Sequence, residues 1–359
     1  MSLRTSGLKL DMKIAVASIA MAVAACSGAS HSTNKASPAP AGGDAGATAS
    51  AAPDGAASTN PRGCGQGTSC SPGTDLAAPA ASDGFQIATP PGAIAVDPGQ
   101  EAFMCYYKTL PNTAEVDVGK IQSWMTPGSS HHFIAYEEGQ GGGLFGGSPQ
   151  PDGTLQACNF GGGTWMYATS LPGQVIEMKM PDGVGLPLSA GTQVMLNMHF
   201  INPGTTTAYP QVKLNLVYVQ NIQYKAAAMV SFNPTINVPP ATAAGPGTQT
   251  VSGTCSAPTG SNFFVMTTHT HKHATAAEVN YVSGGVTTNI VNTTDWEHPD
   301  VGVWTAPNFL TVKAGDSFTY SCSYSNPGAT AVTVGETAAS NEMCMAIGYY
   351  FPASTARCQ

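Results

Sequence analysis

Six of the eight histidines of this chain fall on three short stretches: SSHHFIAY with His131 and His132, VMLNMHFINPG with His199, and NFFVMTTHTHKHATAAEV with His269, His271 and His273. In an extended strand side chains alternate between faces, so His269 and His271 lie on one side, about 6.6 Å apart along the chain, and both reach one ion above it. Adjacent His131 and His132 point to opposite faces of a regular strand. Joint ligation there requires a bulge, a twist, or one ring binding through its nearer nitrogen. His199 would then complete an all-imidazole set, which suits copper, zinc, iron or nickel and names none of them. Burying an imidazole among apolar residues without a partner is costly, so three such stretches together point to a metal where each alone is an ordinary structural histidine. Met343 and Met345, on either side of Cys344 in GETAASNEMCMAIGYYFP, offer thioethers, soft donors that favour Cu(I). His31 and His298, the latter in DWEHPD, sit among linker and turn residues and read as surface groups.

Short strands must position these side chains. Hydrophobic residues make up 42% of the chain, with 41 Gly and 27 Pro, and VKLNLVYV alternates Val212, Leu214, Leu216 and Tyr218 against Lys213 and Asn215. This is the pattern of many short strands and turns, and no convincing amphipathic helix accompanies it. Only 9% of residues are charged and the net charge is -8, which argues against nucleic acid as a partner, because phosphate contacts need basic patches.

The start of the chain reads as an export signal. Arg4, Lys9 and Lys13 precede IAVASIAMAVAAC, an apolar run from Ile14 that is too short to span a bilayer. Its ending, VAAC, resembles a bacterial lipobox, which implies cleavage before Cys26, a lipid on that sulfur, and contact with the membrane through the anchor only. Ser27 favours the outer membrane of a bacterial cell envelope by the same resemblance. Residues 27–81, rich in Ala, Gly, Ser, Pro and Thr, are expected to form a disordered tether, with Cys64 and Cys70 closing a local disulfide in CGQGTSC. Setting Cys26 aside from the nine cysteines leaves an even number, which in an exported protein implies complete pairing, although spacing alone does not choose the partners.

Taken in order, the motifs resemble those of the copper type II, ascorbate-dependent monooxygenase family, which includes peptidylglycine alpha-hydroxylating monooxygenase and dopamine beta-monooxygenase. The segments are MCYYKTLP, HHF, MPDGVGLPL followed by LNMHFINPG, HTH, KAGDSFTYSCSY, and the closing GE, EMC and YY, from about Phe103 to the C-terminus. The resemblance implies two copper ions per chain. His131, His132 and His199 would hold the electron-transfer copper, and His269, His271 and Met343 the copper at which oxygen is activated. It also implies the disulfides Cys105 with Cys158, Cys255 with Cys358, and Cys322 with Cys344. His273 has no counterpart among the family ligands and reads as a solvent-facing or supporting residue.

The implied fold is all-β: two antiparallel, jelly-roll-like β-sandwich domains, residues 82–218 and 219–359, facing each other across an open cleft after the signal peptide (1–26) and the tether. Asn233 to Thr250 would be a long loop of the second. The implied activity is hydroxylation of an aliphatic C–H of a small molecule, with molecular oxygen, an electron donor and ascorbate as the family reductant. The sequence departs from the family at the substrate. Thr267 stands where the peptide-amidating member has an arginine, and Met345 and Ile347 stand where it has asparagine and tyrosine. A carboxylate clamp is therefore missing, and these pocket candidates favour a neutral, apolar substrate. Asn197 replaces a glutamine two residues before the third histidine, which unsettles any inferred route between the coppers.

The alternative is a non-catalytic copper-binding or storage lipoprotein on the same fold. A structural lipoprotein would make the histidines incidental. A blue-copper carrier is disfavoured because no histidine follows Cys344. A zinc hydrolase is disfavoured because the carboxylates nearest a histidine pair, Glu137 and Glu138, stand five or more residues beyond His132.

Overall fold

A computed structural model describes residues 68–72, 75–139, 148–158, 163–335, 337–338 and 340–354, the first of these in backbone only. The export signal, the lipid site Cys26, and Cys64 and Cys358 lie outside the described residues. Those described contain strands, turns and bends but no helix, as the Gly- and Pro-punctuated alternation predicts. They belong to one compact unit.

In the first half, a sheet ordered Thr68–Pro72, Gln174–Lys179, Val116–Met125, Val212–Val219, Gly84–Ala88 lies in one core with a five-stranded sheet, Leu155–Ala157, Glu101–Thr109, Gln193–Ile201, Ser130–Glu138, Thr164–Thr169. In the second half, Ala227–Phe232, Met345–Phe351, Asn262–His269 and Val301–Val303 form one sheet, and Gly247–Cys255, Ser317–Asn326, Ala274–Ser283 and Val286–Thr293 another. Pairing is antiparallel apart from two short parallel pairs, one of which joins Thr333 and Val334 to Asn341 and Glu342.

The pattern of SFTYSCSYSN shows how sequence dictates this. Phe318, Tyr320, Cys322, Tyr324 and Asn326 are buried while the residues between them are part-exposed, the period of two expected of a strand with one wet face. Met345–Phe351 behaves differently, because every residue in it is buried. Ala346 and Tyr350 join the core of the second half, whereas Met345, Ile347, Tyr349 and Phe351 join the core of the first. The sheet containing this strand is thus shared by both halves. Trp165 Nε1 donates to Tyr349 Oη at 3.1 Å, and that hydroxyl donates to the Met166 carbonyl at 3.1 Å. The expected open cleft is accordingly closed along this strand, because apolar residues on both of its faces leave no side that tolerates water.

The expected tether ends earlier than residue 81. Thr68–Pro72, which includes Cys70, pairs with Gln174–Lys179, Leu76 is 6% exposed, and Lys213 Nζ meets Asp75 Oδ1 at 2.5 Å. What orders these residues is pairing and contact with strands from elsewhere in the chain, which composition cannot register. The expected long loop is likewise shortened, by Asn237–Val238 and by a strand that begins at Gly247. Cys105 bonds to Cys158 and Cys322 to Cys344, closing separations of 53 and 22 residues. Loops of that size contribute roughly 3–4 kcal/mol each on the chain-entropy account. Cys255 is also disulfide-bonded.

One buried group works against the fold. Glu138 is 3% exposed, and among the described residues neither of its carboxyl oxygens has a hydrogen-bond partner. Burial raises its pKa from 4.5 to about 7. A carboxyl raised in this way contributes stability that is full below pH 4.5 and is lost as pH rises to about 7. Glu138→Gln, which keeps the shape without the charge, is expected to raise Tm over the native chain at pH 8 and leave it nearly unchanged at pH 4.5. An equal or lower Tm at pH 8 in thermal unfolding would show that the carboxylate is stabilised after all.

Candidate metal centre

The strand Gln193–Ile201 is central in its sheet, and its first eight residues are all buried; His199 has 0% exposure. It pairs with Ser130–Glu138 so that His199 opposes His132 while Phe200 opposes Ser130, a register shift that leaves His131 without a partner on that strand. This is the bulge that adjacent histidines need if both are to face one point. The ring centroids of His131, His132 and His199 lie 5.0, 5.0 and 5.1 Å apart, and one nitrogen from each falls within 4.8 Å of the others.

His269 ends the strand Asn262–His269, where it opposes Met345. His271 follows just beyond, and the two rings lie 5.2 Å apart, on one side as alternation requires. Beyond His271 the chain turns, so His273 does not continue the row; its Nδ1 lies 3.3 Å from Glu342. The strand stops at His269, so His271 already lies beyond its end and His273 lies in the turn that follows. His132 and His269 are 6.1 Å apart, which brings the two groups into one imidazole cluster.

The surroundings suit neutral, lone-pair-bearing rings. Burial above all, with the neighbouring imidazoles, depresses His132 and His271 well below 6.5, His199 to about 3 and His269 to about 4. The Asn341 carbonyl accepts from His271 Nδ1 at 3.0 Å, which puts the proton on that nitrogen and leaves Nε2 free to ligate. At His199, Glu101 Oε1 approaches Nε2 to 2.5 Å, yet off the direction of a hydrogen bond, so both ring nitrogens are buried without one. An ion pair there would need a second proton on the ring, which burial disfavours. Ser130 Oγ and Thr268 Oγ1, beside the histidines in sequence, are orphaned as well. Orphaned, neutral imidazole nitrogens converging on one point fit a metal ion. Met343 is 7% exposed and follows Glu342, whose carboxylate is bonded to the His271 segment; the Met343 carbonyl accepts from Tyr324 Oη at 2.8 Å. Its neighbour Cys344 is tied to Cys322.

A cavity of about 180 Å³ opens beside the cluster, lined by His131, His132, His269 and His271 on one side and by Trp165, Tyr167, Ile176, Val265, Ile347 and Tyr349 on others. Among the described residues neither lysine nor arginine lines it. Of the expected pocket residues, Thr267 and Ile347 line it and Met345 does not; Glu137 and Glu138 do not either. Sequence reasoning missed Trp165 and the loop DWEHPD. Trp296 sits edge-on to His131 at 5.5 Å, Glu297 and His298 line the cavity, and Ser170 Oγ donates to the Glu297 carbonyl at 2.7 Å. Read as a surface residue, His298 is half-exposed, with Nδ1 3.3 Å from Asp295, but it borders the cavity as well. The only signal in the sequence was a tryptophan in a turn-forming segment.

Among solved structures, the major capsid protein P2 from Bacteriophage PM2 is similar over 76% of this chain and 98% of its own, at 7% identity and a TM-score of 0.35. The PBSX exported protein XepA is similar over 74% of this chain and 86% of its own, at 8% identity and a TM-score of 0.20. Likenesses this slight say nothing about function. No curated protein matches. Residues 226–359 match the family model described as copper type II ascorbate-dependent monooxygenase, C-terminal domain. Over residues 226–359 the chain is thus similar to the C-terminal domain of the copper type II ascorbate-dependent monooxygenases.

Proposed function

We propose that this chain hydroxylates an aliphatic C–H of a small, neutral, apolar molecule with molecular oxygen and an external reductant such as ascorbate. His131, His132 and His199 would hold one copper, and His269, His271 and Met343 a second. The observation that carries the reading is the meeting of the two histidine groups, 6.1 Å apart at His132 and His269, at the wall of an apolar cavity. Two sandwich units, residues 82–218 and 219–359, would each contribute one group. The charged start and apolar run ending at Cys26 support export to the bacterial cell envelope and lipid anchoring there, toward the outer membrane.

Copper, when bound, supplies one-electron chemistry between Cu(I) and Cu(II) and a place for oxygen to be reduced. The chain's own residues do the rest. Burial keeps the imidazoles neutral at working pH, so their lone pairs need no deprotonation. Asn341 holds the His271 proton on Nδ1, and the Met343 thioether favours the reduced ion. Trp165, Val265, Ile347 and Tyr349 exclude water and offer apolar contact to a substrate. The Tyr349 hydroxyl is already bonded to Trp165 and Met166.

Copper stoichiometry and oxygen uptake test the reading. Full-length protein is expected to bind about two coppers, falling to about one in His199→Ala. Met343→Ala is expected to lose Cu(I) affinity and ascorbate-dependent oxygen uptake. Copper binding without any such uptake would instead mark a copper store. Because the imidazoles are neutral well below pH 6.5, copper uptake at pH 5.5 is expected to release few protons from them. Calorimetry in buffers of different ionisation enthalpy reads this directly, and release approaching one proton per histidine would contradict the neutral cluster. Across small molecules of similar size, turnover is expected for neutral apolar ones; turnover confined to charged amines or peptide acids would overturn that part.

A further inference from the structure

Glu342 has 0% exposure, and both of its oxygens are used. Oε2 accepts the backbone N–H of His271 at 2.9 Å, and Oε1 accepts that of His273 at 2.7 Å. The preceding residue, Asn341, accepts the ring proton of His271 through its carbonyl, and the following residue is Met343. We propose that Glu342 is a positioning residue: its buried carboxylate clamps the segment 270–273 so that His271 Nε2 and the Met343 thioether are held at ligating distance from one ion. The inference rests on the proposed copper site at His269, His271 and Met343.

Chemistry explains why this residue must be an acid. Two backbone N–H groups on the same short segment point at it, and only a carboxylate offers an acceptor oxygen to each without presenting a hydrogen of its own. Glutamine in the same place would turn its NH2 toward one of the two N–H groups, setting donor against donor. The rest of the segment is already braced. Glu342 pairs with Val334, the Ala274 N–H donates to the His271 carbonyl at 3.0 Å, and Cys344 is held by its disulfide. Loss of the clamp therefore loosens residues 270–273 without removing a ligand, and a ligand displaced by about 1 Å forfeits much of its hold on the metal. This also gives His273 a role: its N–H is one jaw of the clamp rather than its ring a ligand.

The test compares native full-length protein with Glu342→Gln by copper X-ray absorption and by competition for Cu(I) with a chromogenic chelator, with circular dichroism and thermal unfolding alongside. Folded Glu342→Gln is expected to lose copper–sulfur scattering and about 10- to 100-fold in Cu(I) affinity at one site, while the His131, His132 and His199 copper stays. Native-like sulfur scattering and affinity in the folded variant would overturn the clamp and leave the copper site standing. Absence of sulfur scattering in the native protein would overturn both. Hydrogen exchange on the native apo-protein decides the matter should the variant not fold. The His271 and His273 amides are expected to exchange slowly, and exchange at the rate of open loop amides would overturn the proposal.

Discussion

A buried polar atom left without a hydrogen bond costs a folded protein about 1–3 kcal/mol, and His199 carries two such nitrogens at 0% exposure. The chain holds that ring with four more beside it, of which His271 is also buried while His131, His132 and His269 are part-exposed at the cavity, and burial disfavours the second proton of an imidazolium. Everything around the cluster follows from making this tolerable. The strand Gln193–Ile201 is central, so ladder bonds on both sides fix its backbone, and Phe103 stacks on the His199 ring at 4.2 Å. The bulge at His131 sacrifices one pairing to bring a third ring to the same point. A site built this way is strained toward a cation before any cation arrives, which is what preorganisation means in energetic terms.

The second half of the molecule bears the same constraint. His269 and His271 sit at the end of a strand in the sheet that both cores share, and Met345–Phe351 beside it is buried on both faces. Apolar contact along that strand brings the two histidine groups together and also walls the cavity next to them. One physical device, a strand with no wet face, thus brings the groups near each other and supplies apolar wall to the cavity beside them. Trp165, Ile347 and Tyr349 give that space an apolar wall, while Glu297 and His298 border it on the loop side.

Much of the site was legible in the chain. The histidine stretches, the methionine beside a cysteine and the alternating strands are local patterns, and a period of two is enough to put His269 and His271 on one side. That period also required a bulge, a twist or ligation through a nearer nitrogen at His131 and His132, and the fold supplies the bulge. The tether was read too long because small residues such as those at 68–72 take their order from partners elsewhere in the chain. Trp165 and Trp296 were not legible as parts of the site, since each reaches it from a strand or loop remote in sequence, and Glu342, though next to Met343, acts on backbone 71 and 69 residues away.

The sequence by itself determined the element type, the donor atoms and their local facing, because strand alternation and ligand chemistry act over a few residues. Only the tertiary structure decided which groups meet: that His132 and His269 come within 6.1 Å, that the halves share a sheet instead of standing apart, and that a carboxylate at 342 holds the backbone at 271 and 273. Those choices rest on burial and shape summed over distant segments, and no short stretch of residues contains that sum.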